Sequence, residues 1–170
     1  GRGDVYKRQG GEIADTADEI FEKADLLVKV KEPQAIERAR LRSDQILFTY
    51  LHLAPDPDQT CDLVNSGVSA IAYETVSDNH NTLPLLAPMS EVAGRMAVQE
   101  GVKYLVIPQG ERGILLAGVP GVSPADVAVL GGGSVGSNSA WIAAGIGASV
   151  IVLDIDLPRL RYLSDVMPAM

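Results

Sequence analysis

Residues Gly131-Gly132-Gly133-Ser134-Val135-Gly136 place glycines at 131, 133 and 136, the spacing Gly-x-Gly-x-x-Gly. The bare spacing is a weak signal, and its surroundings give it weight. An apolar run, Val127 to Leu130, precedes it and a stretch rich in small residues follows it. Asp154 stands 18 residues beyond the last glycine, at the tip of the next apolar run. In that frame Gly131 permits a tight turn out of a strand. Gly133 lets the backbone approach a pyrophosphate with no Cβ in the way, and Gly136 lets the following helix pack close to the sheet. The N-terminus of that helix, with Ser134 and Val135 in its approach, would offer free N–H groups and partial positive charge to phosphates. Asp154 would accept hydrogen bonds from ribose hydroxyls and repel a 2′-phosphate, which favours NAD over NADP. Arg159, five residues on, acts in the opposite sense.

The first half of the chain holds two further residue types that can do chemistry. His52 follows the apolar run Gln45 to Leu51, and a side chain that titrates near neutrality can take up and return a proton. Read alone, it is more often a partly buried histidine at a strand end. Lys29 and Lys31 are two residues apart, so on a strand they share a face. Either cation could polarise a carbonyl, and charge and spacing do not choose between them. His80 sits in a polar loop and is assigned no role. The single cysteine, Cys61, excludes an internal disulfide framework and reads as a small apolar residue on a helix. It fits a reducing, cytoplasmic setting. No metal centre is expected.

Alternating elements position these residues. Ile13 to Phe21 has roughly helical apolar spacing, Ala24 to Val30 reads as a strand ended by Pro33, and Gln34 to Leu41 as a short helix. Gln45 to Leu51 is a second strand, Asp58 to Asn65 a helix stopped by Ser66-Gly67, and Val68 to Tyr73 a third strand. This alternation predicts a parallel, helix-covered sheet. After a loop from Asp78 to Pro88, Ser90 is expected to cap a long helix, with Glu91 at its positive end. Gln109 to Val122 is glycine-rich and is expected to form a hairpin. A second strand–glycine loop–helix–strand unit follows: Val127 to Leu130, the loop, Ser137 to Gly147, and Val150 to Leu153. The expectation is an α/β chain of two Rossmann-like domains with parallel sheets, both incomplete. The expected organisation is a non-native tail at 1–9, a partial substrate domain at 10–89, an interdomain helix and connection at 90–124, and the start of an NAD-binding domain at 125–170.

The tail is set apart because Asp4 to Gln9 is what GAT GTG TAT AAG AGA CAG encodes, a string resembling a sequencing-library adaptor. Hydrophobic residues make up 46% and charged residues 21% of the 170, values ordinary for a globular protein. A net charge of −8 with no basic stripe argues against nucleic acid as a partner. No apolar run approaches the roughly 18 residues of a membrane span. No basic segment followed by an apolar one suggests a secretory signal.

Several longer segments carry a family resemblance. Val28-Lys29-Val30-Lys31-Glu32-Pro33, Phe48-Thr49-Tyr50-Leu51-His52-Leu53-Ala54 and Ile71-Ala72-Tyr73-Glu74-Thr75-Val76 are three of them. Pro84-Leu85-Leu86-Ala87-Pro88-Met89-Ser90-Glu91-Val92-Ala93-Gly94-Arg95 and Gly118-Val119-Pro120-Gly121-Val122 complete the set. In this order they resemble alanine dehydrogenase, over about Gly11 to Leu163. The resemblance implies reversible oxidative deamination of L-alanine to pyruvate and ammonia with NAD as hydride acceptor, in a cytoplasmic enzyme that commonly forms hexamers. It implies two domains with the active site between them. By motif it makes Lys31 the substrate-binding lysine and His52 the acid–base residue. It makes Ser90 a cofactor contact, puts Gly131, Gly133, Ser134, Val135 and Gly136 at the pyrophosphate, Asp154 at the ribose and Arg159 beside the adenosine.

Departures from the family pattern matter too. Its N-terminal arginine that clamps the substrate carboxylate, and its later catalytic aspartate, have no counterpart in these 170 residues. The chain stops at Pro168-Ala169-Met170, just after a strand and a helix start, so an internal fragment without turnover of its own is expected. The alternative readings are the NAD-binding subunit of proton-translocating transhydrogenase, which needs no acid–base histidine, a saccharopine-type dehydrogenase, and a non-catalytic NAD-binding module.

Overall fold

A computed structural model describes residues 7–109 and 112–167. Most of the tail set apart above, residues 1–6, lies outside the described residues. The chain divides into two compact units, Gly1–Leu83 and Pro84–Met170.

In the first unit α1 (Ala17–Lys23) leads to β1 (Leu26–Val28), α2 (Ala35–Arg38), β2 (Ile46–Thr49), α3 (Pro57–Ser66) and β3 (Ser69–Ala72). The three strands form one parallel sheet in the order β1-β2-β3, as the alternation predicts. Register pairs Val28 with Phe48, and Thr49 with Ala72 at the end of the β2–β3 ladder. A single 3-10 turn, Tyr73–Thr75, continues from β3. Phe21, Leu27, Leu41, Leu47, Leu51 and Leu63 make the core.

Local chemistry explains the boundaries. Helix α1 starts later than its apolar spacing suggests because Thr16 caps it, accepting the Glu19 N–H at 3.2 Å. Its last carbonyls are taken up from afar: buried Gln45 donates to Phe21 and Ala24, both at 2.7 Å, and Arg42 donates to Glu22 at 2.9 Å. Asp56 caps α3 with Pro57 in its first turn, and Gly67, at φ 70°, ends it in the left-handed conformation. Cys61 lies on the exposed side of α3.

The second unit begins with α4 (Ala87–Lys103). Ser90 is not its cap. The helix starts earlier, at Ala87, because Pro88 supplies a preset φ and needs no hydrogen-bond acceptor in the first turn. Ser90 is already helical, its N–H bonded to the Leu86 carbonyl at 3.1 Å. After a 3-10 turn (Ile107–Gln109) the glycine-rich stretch makes one tight antiparallel bridge, Val119 to Val122, rather than a long hairpin. Then come β4 (Asp126–Leu130), α5 (Ser134–Ile146), β5 (Ser149–Leu153) and α6 (Leu157–Val166), with β4 and β5 parallel. Helix α5 begins three residues before the expected Ser137, inside the glycine motif. Its buried Ala140 and Ala143 make the core with Val129, Val150, Leu163 and Met167.

Candidate functional site

Glycine chemistry builds the site of the second unit. Gly131 leaves β4 at φ 95°, a conformation glycine alone adopts cheaply. A Cβ on Gly136 would lie 1.8 Å from the Gly131 carbonyl oxygen, so the turn and the first helical turn close only around glycine. A Cβ on Gly133 would meet nothing within 4 Å, which leaves open space over the start of α5. There the amides of the first helical turn have no intrahelical acceptor and face outward as anion donors. Ser90, Gly131, Gly133, Ser134, Val135 and Gly136 together line one cleft of about 420 Å³. Ser90 reaches that cleft because α4 lies against α5 at a point of very close approach. A Cβ on Gly94 would stand 2.3 Å from the Val135 carbonyl oxygen. Ser139 donates to the Gly94 carbonyl at 2.8 Å, and Arg95 donates to Asn138 at 3.1 Å. Gly94 and Arg95 carry no role in the sequence reading beyond their motif, and their contribution appears only with the packing.

Asp154 ends β5 in a hollow it shares with Leu130, Gly131, Leu153 and Ile155. Its carboxylate accepts the Gly132 N–H at 2.5 Å and the Asp156 N–H at 2.8 Å. The Asp156 and Gly132 amides, in that order, hold its carboxyl below the ordinary 3.8, with help from the charge of Arg159. Arg159 donates to the Gly132 carbonyl at 2.6 Å and to the Ser137 hydroxyl at 3.0 Å, and its guanidinium lies over Tyr162 at 5.1 Å. Both peptide groups of Gly132 are therefore held by side chains from the β5–α6 segment. The loop has the features a dinucleotide's pyrophosphate needs: an uncovered helix start, glycines where a Cβ would intrude, and a carboxylate at the end of the second strand. The chain's own residues fit that cofactor.

Side chains build the site of the first unit. The two candidate lysines part company. Lys29 is about three-quarters buried and pairs with Glu37 at 2.5 Å. Glu37 is desolvated, which alone would raise its pKa, yet Lys29 and the Gln34 N–H hold it below the ordinary value. Lys31 has a side chain 77% exposed and rests on its neighbour Glu32 at 2.9 Å. The expectation that the two lysines share a strand face fails because β1 ends at Val28, before either of them. Fully buried Thr49 holds this stretch, donating to the Val30 carbonyl at 3.2 Å or that of Lys31 at 3.0 Å.

His52 is exposed and left-handed, at φ 50°. Such a conformation costs a non-glycine residue about 1–2 kcal/mol. Glu74 offsets it. Its carboxylate accepts the His52 N–H at 2.6 Å and the Leu51 N–H at 3.1 Å. Hydrogen bonds to a charged group each contribute about 1.5–3 kcal/mol, the exposed His52 amide least. Burial pushes the Glu74 carboxyl up, but the His52, Glu74 and Leu51 amides outweigh it, and the net pKa lies below 4.5. On the other side, fully buried Gln59 donates its amide to the Leu51 carbonyl. The Lys31 ammonium, hydrogen-bonded to Glu32, is the chief cause of the lowered Glu32 carboxyl. Strands β1 and β2 are parallel neighbours and Tyr50 N–H donates to the Val30 carbonyl at 3.3 Å, so the segments that carry Lys31 and His52 leave the sheet at the same end. His80 is exposed in a loop organised by Asp78, which accepts the His80 N–H at 2.8 Å. Among the described residues no cluster of three or more His, Cys, Asp or Glu side chains could hold a metal ion. No described helix is long and apolar enough to cross a membrane.

A parallel α/β unit whose first strand runs through Gly-x-Gly-x-x-Gly into a helix, with an acid just past the second strand, has the Rossmann-like fold. The pattern of the alanine dehydrogenase/PNT N-terminal domain matches residues 2–93, and that of the alanine dehydrogenase/PNT C-terminal domain matches 97–170. This chain belongs to the alanine dehydrogenase/PNT family. It is 56% identical over 158 residues to the alanine dehydrogenase of Mycobacterium tuberculosis, covering 93% of this chain and 43% of that protein. It is 52% identical over 161 residues to the alanine dehydrogenase of Methanococcus maripaludis, covering 95% of this chain and again 43% of the relative. The chain therefore spans less than half the length of these curated relatives. Among solved structures, an L-alanine dehydrogenase matches at TM-score 0.80 and 46% identity, over 96% of this chain and 45% of that one. A transhydrogenase from Sinorhizobium meliloti matches at TM-score 0.70 and 20% identity, over 95% of this chain and 48% of that one, a likeness of fold alone.

Proposed function

We propose that this chain carries the acid–base histidine, the substrate lysine and the opening of the NAD site of an alanine dehydrogenase. Its reaction would be the reversible oxidative deamination of L-alanine to pyruvate and ammonia. The observation that supports the reading is an exposed lysine and an exposed histidine held in a left-handed turn, on segments that leave adjacent parallel strands at the same end. A fold relative that only exchanges hydride between cofactors has no use for such a pair.

The roles follow from the chemistry. NAD, when bound along the glycine loop, accepts the hydride. Lys31 swings from Glu32 to the substrate's carboxylate or carbonyl oxygen and balances negative charge there. His52 takes a proton from the water that attacks the imine carbon and returns it to the departing amine. In the second unit the first-turn amides of α5, with Ser90, would bind the pyrophosphate, and Asp154 the ribose. Arg159 is committed to Gly132 and Ser137, which leaves it poorly placed for a 2′-phosphate and supports NAD over NADP. A cytoplasmic setting and a hexameric assembly are part of the same proposal, carried by the family likeness. The division into a tail at 1–9, a substrate domain at 10–89, a connection at 90–124 and an NAD domain from 125 belongs to it too. Peptide mapping of the source protein that recovers residues 1–9 would remove the tail from that division.

The test follows NADH absorbance with pyruvate and ammonium, using the full product of the reading frame that carries this sequence. Oxidation that requires both substrates and collapses in His52→Ala and Lys31→Ala is the expected result. NAD binding without such oxidation would overturn the reading. The 170-residue chain by itself is expected to produce no NADH from alanine, and measurable production would refute that.

A further inference from the structure

The turn at His52 does not follow from its own sequence. The β2–β3 ladder ends with Thr49 opposite Ala72, and the same offset carried two residues further sets Leu51 opposite Glu74. Both chains have left the ladder there, so the Leu51 and His52 amides have lost their strand partners. Glu74, in the single 3-10 turn after β3, supplies the acceptor for both. We infer that Glu74 is the positioning residue of the acid–base histidine: its carboxylate binds the Leu51 and His52 amides together and fixes the left-handed turn that carries the imidazole. The inference rests on the reading of His52 as the acid–base group.

Four observations carry it. The two bonds share Oε1, at 3.1 Å to Leu51 and 2.6 Å to His52, and Oε2 also stands 3.2 Å from the Leu51 nitrogen. Among the described residues only His52 and Asn81 are non-glycine residues at positive φ, so the conformation is imposed at this point. The Leu51 carbonyl is gripped from α3 by Gln59, so the peptide before His52 is held at both ends. The side chains of Leu51 and Gln59 are buried while that of His52 is exposed, which leaves a rigid base under a reactive tip. A carboxylate suits this better than an amide: its charge strengthens both bonds, its second oxygen also reaches the Leu51 nitrogen, and it brings no competing donor. The charged group that acts on Glu74 is His52, and the phenols of Tyr73, its neighbour in the 3-10 turn, and Tyr50, whose ring meets Tyr73 at 4.9 Å, adjoin the turn. The group facing the turn from α3 is Gln59, which does not titrate.

The test has two arms. In the ¹⁵N-labelled full product of the reading frame, the Leu51 and His52 amide protons should move together on acidification, with one midpoint below the ordinary glutamate value of 4.5. In Glu74→Gln that shared transition should vanish. In the full product of the reading frame, Glu74→Gln should lower kcat with pyruvate and ammonium on the order of 10- to 100-fold, as expected when a catalytic group is misplaced by a fraction of an ångström to an ångström. The KM for NADH should stay within about twofold. Amides that ignore Glu74, or an unchanged kcat, overturn the inference. A wild-type protein that oxidises no NADH overturns the reading of His52 instead, and the amide titration then upholds or overturns the clamp without it.

Discussion

The turn at His52 and the loop at Gly132 solve one problem with different means. Each presents a short irregular segment just beyond the C-terminal end of a parallel strand, and each is held by a carboxylate that accepts backbone N–H groups. Glu74 takes Leu51 and His52, and Asp154 takes Gly132 and Asp156. The loop in the second unit is made by what is missing. Its glycines leave room that any side chain would fill, and its ligand groups are the backbone itself. The turn in the first unit is made by what is added. Thr49, Gln59 and Glu74 reach across to backbone groups of residues 30, 31, 51 and 52. A site made of backbone tolerates little change in residue type at the site, whereas a site made of side-chain clamps is vulnerable at a distance.

The sharpest break in that comparison is Gly136→Val. Its Cβ would stand 1.8 Å from the Gly131 carbonyl oxygen, and both atoms belong to the backbone scaffold of the loop. Destabilisation of the second unit by about 3 kcal/mol, at the upper end for overpacking, and loss of NADH binding are expected in urea melts and fluorescence titration. The first unit should melt as before, which a reporter at Tyr73 or Phe48, whose rings meet edge-on at 4.2 Å, would follow.

The two lysines give the next contrast. Lys29→Ala leaves Glu37 desolvated and unpaired, and should destabilise the first unit by about 1–2 kcal/mol, between the values for surface and buried pairs. Lys31→Ala removes only an exposed pair and should leave the melt within about 0.5 kcal/mol while abolishing turnover. Equal effects of the two substitutions on stability would erase the distinction between a structural and a functional lysine.

A smaller effect is expected at Asp154. Asp154→Ser removes the charge that repels a 2′-phosphate and weakens the tether on Gly132. Affinity for NADH should fall and that for NADPH should rise relative to it, read as the ratio of the two dissociation constants. A ratio that does not move would assign Asp154 to loop geometry alone.

The smallest effect is the pH dependence. Glu37, Glu74 and Asp154 all have folded pKa values below their ordinary ones. Their contribution is present in full above 4.5 for the glutamates and 3.8 for the aspartate, and is lost as pH falls through the lowered values. Urea midpoints should therefore be flat from pH 7 to about 5 and decline below that. The decline in the first unit should be shallower in Glu74→Gln, which has already lost one of the linked groups there.

The glycine loop was legible because its physics is local. A turn, a close approach and a helix start are set by residue types within six positions, and Asp154 follows from the length of one helix and one strand. The parallel sheets were legible from alternation, and the end of α3 from Ser66-Gly67, while its cap at Asp56 and first turn at Pro57 appear only in the structure. The start of α4 was not, because Ser90 and Pro88 are both helix-start residues and only the placed chain shows which one governs. The choice of Lys31 over Lys29 needed a motif, since nothing in their own spacing shows that Glu37 occupies Lys29.

The sequence by itself determined the alternation of elements, the dinucleotide loop and the family segments, because each rests on periodicity or on residue types close together along the chain. The tertiary structure alone decided the hold on His52, the separation of the two lysines and the seating of Ser90. Those depend on partners 22 residues away for His52 and Glu74, and 45 for Gly94 and Ser139. Which partners meet at such separations is set by strand register and helix contact, and neither is written in any short stretch of the chain.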